Sequence, residues 1–558
     1  MTDKILITSA LPYINGVKHL GNLAGSLLPA DVHARFQRLR GRDVLFVCGT
    51  DEHGTPAELA AAEAGLPVAE YCARQHAIQA DIYRRFGISF DHFSRTSSPR
   101  NHEFTQHLYQ RLDENGLIEE RAIRQIWSAT DGRFLPDRYV VGTCPHCRHP
   151  SARGDQCDGC GRLLDPTDLI EPRSAISRST DLETRETRHL FLRQSALVDR
   201  LQDWHQGRHD WDPLVRSIAA KWLNEGLEDR CITRDLAWGV RVPRPGFEGK
   251  VFYVWFDAPI GYLAATREWA DLSPERDWRS WWRPGPGVRY VQFLGKDNVP
   301  FHAITFPATI VGSGEEIRLV DRIKAFNWLN FDGGKFSTSE RRGIFTDAAL
   351  DELPADWWRW WLTANAPETS DVTFTFERFA EGVNADLADN IGNLVNRLLS
   401  FVQSRFDGVV PDGGTPGPAE AALFDRCRGG VTAITEDFDA LRLRRAVEGL
   451  RALWSAGNAY LAHEAPWTAV GTDPDRAACI CRTALNLVGI AASVSAPVIP
   501  FAAERILRAL GEPISAWPEF DGLGLDTLPP GRPIGRVDRL FPRLDDRWVA
   551  ELAGRYGG

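Results

Sequence analysis

Ile5-Leu-Ile-Thr-Ser-Ala-Leu-Pro-Tyr-Ile-Asn-Gly-Val-Lys-His-Leu-Gly-Asn22 decides how this chain folds. The apolar run Ile5, Leu6 and Ile7 predicts a buried strand, and Pro12, Asn15 and Gly16 then force a turn. A long helical pattern follows from Leu23 to Arg40. A strand feeding a helix through a tight turn offers backbone N–H groups and a positive dipole end to an anion, so this turn reads as a nucleotide site. His19 and Asn22 have the spacing that lets two side chains meet one ligand from a helix start. Gly21 would let a flat base approach the backbone.

Outward from that turn the alternation continues. A strand at Lys4–Ser9, a helix from Leu20, a strand at Val44–Cys48 and helices near Pro56–Ala64 and Val68–Phe86 predict a doubly wound parallel sheet. Residues 115–232 interrupt it with a cysteine-rich segment and the Pro/Asp-rich stretch Asp165–Pro172. Strands at Lys250–Phe256 and Val288–Leu294 resume the pattern, which makes the middle block an insertion into a split nucleotide-binding domain. Beyond Phe331 come short helices, including the Trp-rich Asp356–Ala364. Residues 380–510 read as helical throughout, with Asp407–Ala419 as a Pro/Gly-rich linker.

With 558 residues the chain is long enough for three or four domains. The net charge of −10 argues against broad, sequence-blind binding of nucleic acid, but not against recognition by a local basic and aromatic surface. Apolar runs fall short of 18 residues, and a strand begins too early for a signal peptide, so a cytoplasmic protein away from membranes is expected. Among ten cysteines, Cys144, Cys147, Cys157 and Cys160 form two Cys-x2-Cys hooks around a short polar loop. That spacing fits a closed, structural, tetrahedral zinc site. His146 and His149 are competing ligands with poorer spacing. Cys48, Cys72, Cys231, Cys427, Cys479 and Cys481 read as core or incidental residues.

A series of segments in fixed order then carries a resemblance: Ala10-Leu-Pro-Tyr13, His19-Leu-Gly-Asn22, Cys48-Gly-Thr-Asp-Glu-His-Gly-Thr55, Phe134-Leu-Pro-Asp-Arg138, Val251 to Tyr262, Gly295-Lys-Asp-Asn-Val-Pro-Phe-His302 and Gly333-Gly-Lys-Phe-Ser-Thr-Ser339. Together they resemble the class I aminoacyl-tRNA synthetases, and within them the methionyl-tRNA synthetase family. The resemblance implies a Rossmann-type sheet over residues 1–114 and 233–325, split by a connective insertion at 115–232 that carries the zinc knuckle. It further implies a signature-loop and stem-contact region at 326–380, an all-α anticodon-binding bundle at 381–520, and a tail at 521–558 that packs back on the body. The tail leaves no room for an appended C-terminal module, so a monomer is expected.

The resemblance also implies chemistry: ATP, with Mg2+, activates L-methionine, and the product passes to methionine tRNA. By match to the family, His19, Asn22, Lys335 and Thr338 are catalytic. ATP would be held by these residues with Gly21, Asp297, Arg341 and Arg342. Ala10, Leu11, Tyr13, Trp255, Ala258, Pro259, Tyr262 and His302 would line the methionine pocket, and Asp51 would hold the ammonium group. Asn393, Arg397 and Trp467 match positions that read the anticodon. Two positions depart from the common pattern: Asn22 stands for a second signature His, and Thr338 for a second signature Lys. The loss of charge at Thr338 leads to the expectation that Arg341 or Arg342 meets the departing pyrophosphate. A paralogue that activates an amino acid for a small-molecule pathway is the alternative reading.

Overall fold

The computed structural model describes residues 4–154, 157, 159–160, 162, 164–337, 342–514, 516–519, 524–525 and 527–557. A five-stranded, wholly parallel sheet lies at the centre, in the spatial order Arg322–Phe326, Val288–Gly295, Lys4–Ser9, Asp43–Thr50, His92–Arg95. The strands are apolar on both faces because both faces are covered. Side chains alternate across a strand, so Ile5, Ile7, Val44, Phe46 and Cys48 enter one core, while Leu6, Leu45 and Val47 enter the other. The first core also takes the helix that follows Lys4–Ser9 and the C-terminal helices. The second takes helices Pro99–Glu114, Gly261–Asp271 and Phe306–Ser313.

From Lys4–Ser9 the chain adds strands first to one side and later to the other. The switch point therefore falls between Lys4–Ser9 and Val288–Gly295, and a crevice opens at their C-terminal ends. The insertion is built on a long antiparallel pair, Ile118–Ser128 with Leu182–Leu192, in register from Ile118↔Leu192 to Ser128↔Leu182. It carries the cysteine hooks on a small separate core that includes Leu135, Tyr139, Val140 and Leu169.

Three sequence expectations need correction. Lys250–Phe256 is not a strand of the parallel sheet: Val251–Phe252 pairs antiparallel with Thr233–Arg234, and Val254–Asp257 is already helical. Its apolar run marks burial, which helix and strand share. Two strands of the sheet, His92–Arg95 and Arg322–Phe326, were not read from the sequence at all. Finally, Pro474–Ser495 is long and apolar enough by composition to cross a membrane, contrary to the sequence reading, yet 89% of its most apolar window is buried inside the fold. Here it is a core helix of the bundle formed with Pro418–Asp439 and Leu443–Glu464.

Candidate active site

The crevice at the switch point is a cleft of about 470 Å³. It is lined by Ala10, Leu11, Tyr13, His19, Gly21, Asn22, Asp51, Trp255, Ala258, Pro259, Tyr262, Asp297, His302 and Lys335. These are all the small-molecule residues read from the sequence except three. Thr338 and Arg341 lie outside the described residues. Arg342 is described and is turned away: its Nη2 donates to the carbonyl oxygens of Phe331, at 3.2 Å, and Asp332, at 3.0 Å. Arg342 is thus engaged with backbone carbonyls, while Arg341, the other residue of the expected pair, lies outside the described residues.

Helix Leu20–Asn22 runs through a π-helical segment at Leu23–Leu27 into Leu28–Leu39, and such segments recur at functional sites. His19 caps its start in extended conformation, and its backbone N–H donates to Asn22 Oδ1 at 3.3 Å. Asn22 thus uses its oxygen on the chain and keeps its amide donor for a ligand. The His19 ring stacks on Phe336, with centroids 4.9 Å apart, and its buried Nδ1 has no partner among the described residues. Burial, then the neighbouring charge of Lys18, pushes the imidazole down to about 3. A Cβ on Gly21 would stand 3.0 Å from His19 Nδ1. The glycine therefore makes room for the histidine ring, where the sequence reading gave that room to a base.

The first signature is tied by backbone to the segment just after the second. His19 bridges to Phe345, the Leu20 N–H donates to Ile344 O, and the Thr346 N–H and Oγ1 both donate to Lys18 O, at 2.9 and 2.8 Å. Lys335, in the short strand Gly334–Lys335, rests over the Trp328 ring at 4.3 Å, as does Lys296 at the same distance. Trp328 lines the cleft and was missed by sequence reading.

The opposite half of the cleft is suited to an amino acid. Asp51 is 2% exposed, and its Oδ1 has no hydrogen-bond partner among the described residues. Burial, then the charge of Asp257, holds its carboxyl well above the usual carboxylate range. An arriving ammonium would supply the missing partner and restore the charge. Behind it, His302 Nδ1 lies 2.9 Å from Asn298 O, an acceptor, so this nitrogen carries the proton and Nε2 accepts from the Tyr262 hydroxyl at 2.9 Å. Burial lowers His302 to about 4, and this end of the pocket stays uncharged. Trp255 stacks on Phe301 with centroids 4.0 Å apart and turns an edge toward Tyr13. A second π-helical segment, Phe301–Thr305, carries His302. Asp297, raised by burial, follows Gly295, where a Cβ would lie 2.7 Å from Asp297 Oδ1.

Far from the cleft, the four cysteine sulfurs lie within 4.8 Å of one another, with Cys147–Cys157 at 3.5 Å and Cys144–Cys160 at 4.0 Å. A tetrahedron with Zn–S bonds of about 2.3 Å has edges of ~3.8 Å, so the donor set fits the ion. His146 instead faces Arg162, its Nδ1 3.2 Å from Nη1. Among the described residues this is the one cluster of three or more metal-type ligands.

In the helical part, a third π-helical segment, Asn384–Gly392, leads into Asn393–Arg405. Asn393 donates to Asn458 Oδ1 at 3.3 Å, and the Arg397 guanidinium lies 4.6 Å over the ring of Trp467. Trp467 is 41% exposed, a large share for an indole.

A parallel sheet with its switch point at two linked signature segments, followed by a helical bundle, defines a class I aminoacyl-tRNA synthetase. Residues 5–399 match the family model for class I tRNA synthetases (M), and residues 410–558 match the anticodon binding domain of methionyl tRNA ligase. A methionine–tRNA ligase of Caulobacter vibrioides is 60% identical over 100% of this chain and 99% of its own length. Another from Ruegeria sp. is 55% identical over the same shares. The structure of Mycobacterium tuberculosis methionyl-tRNA synthetase in complex with methionyl-adenylate superposes with a TM-score of 0.78 at 28% identity, covering 97% of this chain and 100% of that one. The chain belongs to the methionyl-tRNA synthetase family.

Proposed function

We propose that this protein is a methionine–tRNA ligase. It joins the methionine carboxylate to the adenylyl group of ATP, releases pyrophosphate, and passes the methionyl group to the 3′-terminal adenosine of methionine tRNA. One observation carries this reading: an unpartnered buried carboxylate (Asp51), an uncharged aromatic pocket (Trp255, Tyr262, His302) and two phosphate-facing signatures (His19, Lys335) line one cleft.

The residues divide the work. Asp51 receives the ammonium, and Trp255 and Tyr262 offer faces to a polarisable thioether. The neutral His302–Tyr262 pair rejects a charged side chain by leaving it unpaired. His19 and Asn22 donate to the α-phosphate, where charge grows as the carboxylate oxygen bonds to phosphorus and the bond to the leaving oxygen breaks. Lys335 meets the pyrophosphate, and Thr338 supplies a hydroxyl there. Asp297 reaches the ribose. Magnesium, carried on ATP oxygens, neutralises phosphate charge when bound.

Asn393, Arg397 and Trp467 form the anticodon reader, with Trp467 as stacking platform and Arg397 as donor. Zinc closes the knuckle through Cys144, Cys147, Cys157 and Cys160. The division into a split catalytic domain, connective insertion, helical bundle and returning tail follows the same reading, as do a monomeric state and a cytoplasmic location. Incubation with ATP, Mg2+, labelled methionine and unmodified methionine tRNA tests the proposal. Charged tRNA is expected. Methionine-dependent pyrophosphate exchange without charging would overturn it in favour of a biosynthetic paralogue.

A further inference from the structure

Lys18 lines the cleft and has no role so far. It is 5% exposed and lines the cleft beside His19, Asp51 and Tyr13. Its backbone is pinned by both donors of Thr346, which fixes the residue where the two signatures meet. Its ammonium is bonded to Asn15 Oδ1 at 2.7 Å, and among the described residues no carboxylate forms an ion pair with it. A buried ammonium with one neutral acceptor leaves two donors unused, which is costly unless a ligand takes them. Burial pushes this amine down to about 7, and the negative charge of Asp51 partly opposes that shift.

The position restricts what the ligand can be. Asp51 and His19 are the neighbours of Lys18, and they hold the two ends of the reacting pair: the amino acid's ammonium and the α-phosphate. An α-amino acid bears its carboxylate on the same carbon as its ammonium, so the carboxylate must fall between these two groups. We propose that Lys18 binds the carboxylate of the amino acid substrate and thereby selects for a free α-carboxylate. This assignment rests on the reading of the cleft as the site of methionine activation.

The consequence for the reaction is electrostatic. A carboxylate and a triphosphate repel each other as they approach, and an ammonium between them offsets that repulsion while the attacking oxygen keeps its lone pair. Lys18 transfers no proton. The carboxylate oxygen gains the bond to α-phosphorus, and pyrophosphate leaves with the electrons of the broken bond. A cation on this side also adds positive charge to an enzyme whose sequence has Thr338 where the family has a second signature lysine.

The test compares methionine with methioninol, which keeps the ammonium and thioether but replaces the carboxylate by a neutral alcohol. Binding of each is measured directly by calorimetry on the full chain, for wild type, Lys18→Met and Lys18→Arg. Lys18→Met is expected to weaken methionine about 10-fold or more and methioninol less than about 2-fold, with Lys18→Arg recovering part of the loss. Equal weakening of both ligands, or of neither, would overturn the assignment, because a merely structural lysine cannot tell a carboxylate from an alcohol. Circular dichroism of each variant separates loss of fold from loss of binding. Failure of the wild-type protein to bind methionine would instead count against the reading of the cleft, and is thus distinguishable.

Discussion

Single buried charges set the working limits of this protein. Asp51 illustrates the binding case: its Oδ1 lacks a partner until a ligand comes. Asp51→Asn removes a charge-assisted bond worth about 2–3 kcal/mol, so the KM for methionine is expected to rise about 100-fold with the KM for ATP changed less than about 2-fold. Steady-state pyrophosphate exchange measures both, and a parallel rise in the two constants would refute the role. Asp356 illustrates the stability case. Its Oδ2 accepts from the Ala502 N–H at 2.6 Å, and burial lifts its pKa from 3.8 to about 6. The folded protein therefore holds this proton more tightly than the unfolded chain does. Stability is lost as pH rises from about 4 to about 6, and stays lost above that. Asp356→Asn keeps the acceptor without the charge. Its unfolding midpoint is expected to exceed that of wild type at pH 7.5, by no more than about 3 kcal/mol in stability, and to converge with it below about pH 3.5. A gap independent of pH would contradict the assignment.

At the scale of elements, functional residues cluster where helices depart from regular geometry. The three π-helical segments among the described residues, Leu23–Leu27, Phe301–Thr305 and Asn384–Gly392, contain or adjoin His19 to Asn22, His302 and Asn393 respectively. An added residue per turn re-aims the side chains around it, and no sequence period announces it. The cysteine knuckle is the opposite case, since ligand spacing is local and legible. Its core is separate from the two large ones that hold the parallel sheet. Removal of the metal by a strong chelator is expected to release one equivalent of zinc and make four thiols reactive while the far-ultraviolet dichroism changes little. Release without new reactive thiols would point to a different ligand set. Arg342 shows a contact that reading by element does not supply: its guanidinium donates to the backbone carbonyls of Phe331 and Asp332.

The whole molecule is held together across its parts by a buried guanidinium. Arg359, in helix Ala355–Ala364, is fully buried and forms an ion pair with Asp31 at 2.7 Å. It also donates to the carbonyls of Phe86, at 3.1 Å, Pro497, at 2.8 Å, and Val498, at 2.9 Å. Two helices that flank the parallel sheet, the segment after the second signature and the helical bundle thus meet at one side chain. Arg359→Met would leave Asp31 with Arg35 as its remaining cation and three carbonyls without donors, at an expected cost of about 3–5 kcal/mol. Denaturant unfolding measures it, and a loss under about 1 kcal/mol would show that water replaces the guanidinium. The C-terminal helix Asp546–Tyr556 closes against the same region, with Trp548 stacked on Phe379 and Tyr556 Oη 3.1 Å from Glu352 Oε1.

By itself the sequence determined what depends on neighbours in the chain. The strand–turn–helix at Ile5 to Asn22, the paired cysteine hooks and the helical run after residue 380 all follow from periodicity, turn residues and ligand spacing, and ordered motifs carried the family. Tertiary structure decided what depends on residues far apart. It turned Val254–Asp257 into a helix, set the His19 ring against Gly21, bonded Arg342 to backbone carbonyls and brought Lys18 and Asp51 to one cleft. Each of these outcomes is set by burial and by which partner lies nearest in space, and neither quantity is written in the spacing of residues along the chain.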